Sequence, residues 1–340
     1  MIALNDVNAA LALVEARCGT ALRMATPLGL GKPHRLINAL YAQVKADPAR
    51  QLQIFTALSL NPPRGRSDLE RRFLQPFTDR VYTPAFPRLA YVDDRDRDQL
   101  PANVQVEEFY MQSGAMLHSL QAQSHYASLN YTHVARALAS RGLNLIVQKI
   151  ATDGQGRYSL SCNTDLTEDI LAAMAQRGLP RPLLVGEIDP QLPFMAGTAE
   201  VEAGFFDAVL ELPPPHTPLF ALPRQGVSDA DYAIGLRASA LVKDGGTLQI
   251  GIGALADALS HALVLRHTRN AEYRQVLAAL DPALVGPDGQ GDTLVQAVGG
   301  LGPFEQGLYG CSEMVNEGFR LLAEHGILKR RVVEDVAVQW

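Results

Sequence analysis

The sequence predicts an α/β protein made of two related α/β domains with largely parallel sheets. The first reason is that residues 20–44 read as strand, glycine turn and helix, after which apolar runs and helical stretches alternate up to residue 188. This alternation is typical of parallel sheets covered by helices. The second reason is that residues 247–263 repeat the same strand, glycine turn and helix, which favours two related halves.

The chain has 340 residues, and domains usually hold roughly 100 to 200, so two domains are expected. The segment Pro213-Pro214-Pro215, followed by Pro218 and Pro223, cannot lie inside a helix or a central strand. We therefore place the boundary near Gly226, with a first domain at 1–225 and a second at 226–340.

Composition excludes several classes of protein. The net charge of −6 leaves no dense basic field for nucleic acid, and no apolar run reaches the ~20 residues that cross a bilayer. An export signal begins with a basic segment followed by an apolar one, but this chain has Asp6 and Glu15 in that region. The three cysteines are too widely spaced for a disulfide framework, which favours a cytoplasmic protein.

In the first domain, Asn5 caps a predicted helix over 5–17, and a strand follows at 20–26. The turn at 27–33 leads into a helix with Leu36, Leu40 and Val44 on one face. Asp153-Gly154 predicts a hairpin between two apolar runs. The remaining predicted strands are 52–58, 104–110, 144–150, 158–161 and 183–188, and the remaining predicted helices are 131–140 and 166–177.

In the second domain, Ser228 caps a helix that runs to about residue 242, and a turn at 244–246 leads to a strand at 247–250. The turn Gly251-Ile252-Gly253 then begins another helix. Near the end of the chain, Ser312 is expected to cap a helix whose Val315, Phe319 and Leu322 share one face and which Gly326 ends.

The Gly251-x-Gly253-x-x-Ala256 pattern formally matches a dinucleotide-binding turn. A nicotinamide dehydrogenase would also need a second apolar strand ending in an acid, but residues 266–272 are polar, so this reading is a distant alternative. Two other readings stay open. The glycines either only turn a strand into a helix, or they expose backbone N–H groups that bind an anion or a polarised oxygen.

Other motifs point away from common chemistries. Gly29-Leu30-Gly31-Lys32 lacks the spacing of a phosphate-binding P-loop and is either a structural turn or a substrate loop. The eight histidines include no H-E-x-x-H pair, so no metal site is expected. The stretch 310–314 lacks the last glycine of a serine-hydrolase elbow.

Glu313 is the acid with the most chemical interest. As a first-turn acid of the predicted last helix it would only interact with the helix dipole. The same position suits a nucleophile, provided that the loop carrying Glu313 and the Gly251 turn share one rim of a sheet.

Taken together, several stretches resemble the acetyl-CoA hydrolase/transferase family of class I CoA-transferases. They occur in the family's order, and those at Gly251 and Glu313 are the most specific. The stretches are Pro27–Pro33 (PLGLGKP), Asp153–Asp165 (DGQGRYSLSCNTD), Glu187–Gly197 (EIDPQLPFMAG), Asp244–Leu259 (DGGTLQIGIGALADAL) and Ser312-Glu313-Met314.

The resemblance implies a CoA-transferase-like fold and a CoA-transferase or acyl-CoA hydrolase that works through a glutamyl-CoA thioester on Glu313. It implies that Gly251, Ile252, Gly253 and Ala254 bind CoA or the oxyanion, and that Gly29 and Gly31 belong to a substrate loop. Coenzyme A would be a substrate and a covalent intermediate, with no permanently bound cofactor. The partners would be acyl-CoA and a small carboxylate or water, in a homodimer.

The sequence departs from this family in three places. Cys311 stands where many members have histidine, and residues 266–303 form a longer connection than in the smaller members. The apolar pattern at 331–340 runs to the last residue, where relatives continue with a glycine-rich segment. We therefore expect an incomplete second domain belonging to a longer protein, and the alternative reading is a non-catalytic CoA-binding or scaffold fragment.

Overall fold

The computed structural model describes residues 1–164, 166–220, 225–312 and 314–331. The chain divides into two compact units, residues 1–222 and 223–340. None of the described helices is long and apolar enough to cross a bilayer.

The first unit contains one large sheet and two further short strands, one of which pairs with the end of a central strand of that sheet. Its strands are β1 (Ile2–Leu4), β2 (Ala21–Ala25), β3 (Gln51–Thr56), β4 (Val104–Glu108), β5 (Leu145–Thr152), β6 (Tyr158–Ser159), β7 (Leu183–Ile188), β8 (Glu200–Val201) and β9 (Ala208–Leu210). Its helices are α1 (Val7–Cys18), α2 (His34–Ala46), α3 (Asp68–Val81), α4 (Ala90–Arg95), α5 (Leu120–Ser124), α6 (Val134–Ala139) and α7 (Thr167–Gln176).

The main sheet has the strand order β1-β9-β7-β5-β2-β3-β4, and every neighbouring pair in it is parallel. Parallel neighbours require crossover connections, which the helices between the strands supply. The predicted α/β class with a largely parallel sheet is therefore confirmed.

Alternate residues of each strand enter two different cores. Leu145 and Val147 of β5 pack with α1 and α2, whereas Ile146 and Ile150 pack with α6 and α7. This follows from the two-residue period of a strand, which points successive side chains to opposite faces. Helices cover both faces, so the strands are apolar on both sides rather than alternating.

The hairpin predicted at Asp153-Gly154 is confirmed, because β5 and β6 pair antiparallel on either side of it. The cap of the first helix was predicted wrongly. Asp6, not Asn5, accepts the N–H of Ala9, so α1 begins at Val7.

The second unit has a small parallel sheet and six described helices. Its elements are α8 (Asp229–Ser239), β10 (Thr247–Gln249), α9 (Ala254–Thr268), α10 (Asn270–Leu280), α11 (Pro282–Val285), α12 (Thr293–Val298), β11 (Tyr309–Cys311) and α13 (Glu317–Glu324). Ser228 caps α8 as predicted, in a capping box with Asp231. Whether the two units are related halves stays a prediction.

The long connection at 266–303 folds as helices α10, α11 and α12, which share a small core with Leu236 of α8 and Leu265 of α9. Arg266 fastens this region, because its buried guanidinium donates to the carbonyls of Ser239, Val242 and Gly302. The guanidinium also lies 4.4 Å from the ring centre of Phe304. These bonds satisfy a charge that would otherwise be costly to bury.

Candidate active site

The glycine turn connects β10 to α9, as the sequence predicts. Gly253 precedes the helix with φ of 143°, a conformation that residues with a side chain rarely adopt. A Cβ atom added at Gly251 or Gly253 would meet no atom within 4 Å. The backbone of the turn is therefore open to the approach of another molecule.

The N–H groups of the turn are available as donors. Among the described residues, no acceptor receives the N–H of Ile252, Gly253 or Ala254, and Gly253 provides no side-chain cap. The first N–H groups of a helix have no partner within the helix and favour negative charge. The turn can thus supply hydrogen bonds to an anionic oxygen.

Strand β11 brings a second loop to the same edge. It pairs parallel with β10, and Gln249 lies opposite Cys311, so the carboxyl ends of both strands meet. The Ser312 hydroxyl lies 2.8 Å from the carbonyl oxygen of Ile250, to which it can donate. The Asn316 side-chain amide donates to the carbonyl oxygen of Gly251 at 2.9 Å.

These two contacts place residues on both sides of position 313 against the glycine turn. Glu313 itself lies outside the described residues, so its role as nucleophile stays a prediction. The condition set by the sequence, that the two loops share one rim, holds for Ser312 and Asn316.

The predicted start of the last helix is wrong. Asn316 caps α13 by accepting the N–H of Phe319, and the helix begins at Glu317. Ser312 cannot act as the cap because its hydroxyl lies against the carbonyls of Ile250 and Met314.

The apolar face and the end of this helix are partly as expected. Phe319 and Leu322 are buried, but Val315 is 80% exposed because it precedes the helix. Gly326 follows the helix with φ of +67°, as expected for a glycine stop.

The Gly29 and Gly31 stretch forms a short 3-10 turn after β2. Gly31 packs closely, since a Cβ atom there would lie 2.6 Å from the side chain of Asn163. Lys32 stabilises the turn by donating hydrogen bonds to the carbonyls of Pro27 and Ala57, both at 2.7 Å. Packing alone accounts for Gly31, and a substrate role for this loop stays a prediction.

Burial dominates the electrostatics beside this loop. It lowers the pKa of Lys32 to about 7 and that of His34 to about 3. Glu187 lies in β7, which β5 separates from β2 in the sheet, and its pKa is raised to about 7, mainly by burial. Lys149 and Asp189 form a buried ion pair at 2.6 Å at the carboxyl ends of β5 and β7. Sequence analysis assigned no role to any of these side chains, because their burial depends on how the crossover connections pack against the sheet.

Cys311 is a partly buried residue of β11, opposite Gln249. All three cysteines of the chain are free thiols.

Asn316 is the site residue that sequence analysis missed. Its signal was an asparagine three residues before an apolar helical position, the usual spacing of a cap.

Comparisons with known proteins add a distant relationship. No family model matches the chain. The 4-hydroxybutyrate coenzyme A transferase of Clostridium kluyveri is 29% identical over 125 residues, which are 37% of this chain and 26% of that protein.

The solved structure of RipA from Yersinia pestis superposes with a TM-score of 0.58 at 17% identity, covering 95% of this chain and 61% of RipA. A single-residue variant of RipA gives a TM-score of 0.60 at 16% identity, covering 96% of this chain and 58% of that one. This chain therefore spans about three fifths of the RipA chains it matches, and shares their fold. Over those 125 residues the chain is similar to a CoA-transferase, the class of protein that its motifs predict.

Proposed function

We propose that this protein moves coenzyme A between an acyl-CoA and a carboxylate or water, with Glu313 as the nucleophile. The observation that supports it most is the pair of hydrogen bonds from Ser312 and Asn316 to the Gly251 turn. They hold the chain on both sides of position 313 next to backbone N–H groups that have no acceptor in the part of the chain that the structure describes. The similarity to a CoA-transferase supports the same chemistry.

In the first step a carboxylate oxygen of Glu313 attacks the thioester carbon of acyl-CoA. The C–S bond breaks, CoA leaves as thiolate, and an acyl-glutamyl anhydride remains. The thiolate then attacks the glutamyl carbon of the anhydride, which releases the acyl group as a carboxylate and leaves a glutamyl-CoA thioester.

The second half of the reaction resolves this thioester. A new carboxylate repeats the two steps in reverse and leaves as acyl-CoA, which restores Glu313. Water can instead attack the glutamyl carbon and release CoA, and the net reaction is then hydrolysis. No permanently bound cofactor enters either route, because CoA itself is both substrate and covalent intermediate.

The glycine turn stabilises the charge that develops in each attack. The attacked carbonyl oxygen becomes negative, and the N–H groups at Ile252, Gly253 and Ala254 have no described acceptor. Loss of one donor from such an oxyanion site typically costs on the order of 100- to 1000-fold in rate. A backbone donor can be removed only by a proline substitution, which also changes the backbone conformation, so the test acts on the nucleophile.

The test compares Glu313→Gln with Glu317→Gln as the matched control. Glu317 begins α13 four residues later, and its carboxylate pairs with Arg320. Acetyl-CoA is supplied alone and with acetate, propionate, butyrate or 4-hydroxybutyrate, and CoA release and new acyl-CoA are followed. We expect Glu313→Gln to lose turnover and Glu317→Gln to retain it.

The acceptor panel also separates the remaining readings. New acyl-CoA identifies a transferase, and CoA release without a carboxylate identifies a hydrolase. The proposal would be overturned if calorimetry showed that the protein binds CoA while neither acetyl-CoA nor a longer acyl-CoA supported either reaction. That result would favour the non-catalytic CoA-binding reading. The homodimer implied by the family resemblance is tested separately, by light scattering.

A further inference from the structure

A cavity of about 190 Å³ lies in the first unit beside strand β4, at the edge of the main sheet. Its wall includes Arg95, Gln105, Val106, Gln121 and His125, and Ala102 stands at its rim. An apolar cavity of about 150 Å³ is large enough to hold benzene. This one can therefore hold a six-membered ring with a small substituent.

The free edge of β4 exposes an unpaired peptide group to this cavity. The carbonyl of Asn103 and the N–H of Phe109 bond to β3, so the odd-numbered residues of β4 face β3. The N–H and C=O of Val106 therefore point away from β3, and no described residue pairs with them. Val106 is only 4% exposed, and a buried unpaired peptide group is costly.

The next position along this edge is already paired. The carbonyl of Glu108 accepts the N–H of Ala127, and Tyr126 forms a parallel bridge with Glu108. Tyr126 and Ala127 thus pair with the edge of β4 at Glu108 and leave the peptide groups of Val106, where the cavity lies, without a partner among the described residues.

Side chains add further unpaired groups of both kinds. The Oε1 atom of Gln121 is buried and has no hydrogen-bond partner among the described residues. Gln105 accepts from Gln53 through Oε1, which leaves its NH₂ group without a described acceptor. His125 donates from Nδ1 to the carbonyl of Gln121, so in its neutral form Nε2 can accept. The wall therefore offers both acceptors and donors.

The charges around the cavity disfavour an anion. Arg95 is the cation of the wall, but its guanidinium already donates to Glu108 and Asp96. Asp98 adds a third nearby negative charge, where it accepts from Ser119 and the N–H of Gln121. An uncharged ligand avoids both the repulsion and the cost of burying a charge.

We propose that this cavity is a binding site for a small uncharged molecule that carries a carboxamide or a similar adjacent donor and acceptor. Such a group can accept from the Val106 N–H and donate to the Val106 carbonyl or to Gln121, which satisfies the buried groups in one step. The site lies along residues 100–106, at the amino-terminal end of β4, whereas the Gly29 loop follows the carboxyl end of β2. The inference is independent of the proposed function.

Nicotinamide and nicotinate form the sharpest pair of probes, because they share a ring and differ only in carboxamide against carboxylate. Binding to the full chain at neutral pH is measured by ligand-observed NMR and located in crystals soaked with each compound. We expect nicotinamide in the cavity and nicotinate bound roughly 10-fold more weakly or not at all. Losing one such hydrogen bond changes affinity by about 10-fold.

Two variants locate the site. Gln121→Leu removes the unpaired acceptor at similar volume and should weaken nicotinamide binding about 10-fold. Gln123→Leu makes the same change on the same short helix and is the control. It tests whether loosening that helix is by itself enough to weaken nicotinamide binding, and we expect it to bind nicotinamide normally. If Gln121→Leu does not fold, Ala102→Phe fills the rim and should block binding. Equal binding of both probes, no binding of nicotinamide, or binding unchanged in a folded Gln121→Leu or Ala102→Phe protein would overturn the proposal.

Discussion

The side-chain amide of Asn316 donates to the carbonyl oxygen of Gly251 at 2.9 Å, while its Oδ1 accepts the N–H of Phe319. One side chain thus begins helix α13 and also holds that helix against the glycine turn. Because the two bonds use different atoms of the amide, substitution can separate them.

Asn316→Asp should keep the cap and lose the contact with Gly251, since a carboxylate accepts from Phe319 but has no N–H to donate. Asn316→Ala should lose both. We expect both variants to lose turnover, and Asn316→Ala to lose in addition about 1 kcal/mol of stability from the missing cap. Acyl-CoA turnover and urea unfolding measure the two effects, and full activity in Asn316→Asp would contradict a positioning role.

The two glycines of the turn should respond differently to alanine. Gly253 has φ of 143°, so Gly253→Ala should strain the backbone and cost about 1–3 kcal/mol. Gly251 has no such constraint and faces open space, so Gly251→Ala should fold normally. Its methyl group would still obstruct a bound substrate and lower turnover on the order of 10- to 100-fold. Thermal unfolding and turnover of both variants check this, and an unaltered rate for Gly251→Ala would argue against binding at the turn.

Lys32 should matter for stability more than an ordinary lysine. Lys32→Met removes the donor at 2.7 Å from the carbonyls of Pro27 and Ala57, which keep only longer contacts with the Thr56 hydroxyl. A buried carbonyl that loses its hydrogen bond costs about 1–3 kcal/mol. Lys45→Met is the control, because Lys45 is half exposed and pairs with Asp94, an interaction worth about 1 kcal/mol or less. Urea unfolding measures both, and equal losses would show that the Lys32 contacts contribute little.

Glu187 should make stability depend on pH. Its pKa is raised to about 7 in the folded protein against an ordinary value of 4.5, so the folded state holds the extra proton between these values. This stabilising contribution is complete below about pH 4.5 and is lost as pH rises through 7. Glu187→Gln removes the contribution of this carboxyl group to the pH dependence. Relative to the wild type, the variant should gain stability as pH rises from 4.5 to about 7, measured by thermal unfolding. A difference that does not change with pH would contradict the assignment.

The sequence predicts best those elements whose signal is local. Strand β7 was predicted at 183–188 and occupies Leu183–Ile188, because a continuous apolar run is typical of a strand buried on both faces. Strands β1 and β9 escaped prediction. Each has three residues, and they form by long-range pairing, β1 with β9 and β9 with both β1 and β7.

The errors at the candidate site have the same origin. Ser312 has the residue type of a helix cap, but its hydroxyl lies against Ile250, sixty-two residues earlier in the chain. Asn316 caps α13 instead, because the pairing of β10 with β11 places Ser312 against the carbonyl oxygen of Ile250. Local pattern identified the turn and the loop, and only the parallel pairing shows that they share an edge.

The most direct test of the proposed function is to look for CoA covalently bound to Glu313. The protein is incubated with acetyl-CoA and, separately, with a longer acyl-CoA, then digested at low pH, and the peptides are mapped by mass spectrometry. We predict a CoA adduct on the peptide that contains Glu313, at that residue, which disappears in Glu313→Gln and persists in Glu317→Gln. Turnover with no adduct at Glu313, or an adduct on another residue that survives Glu313→Gln, would contradict the account.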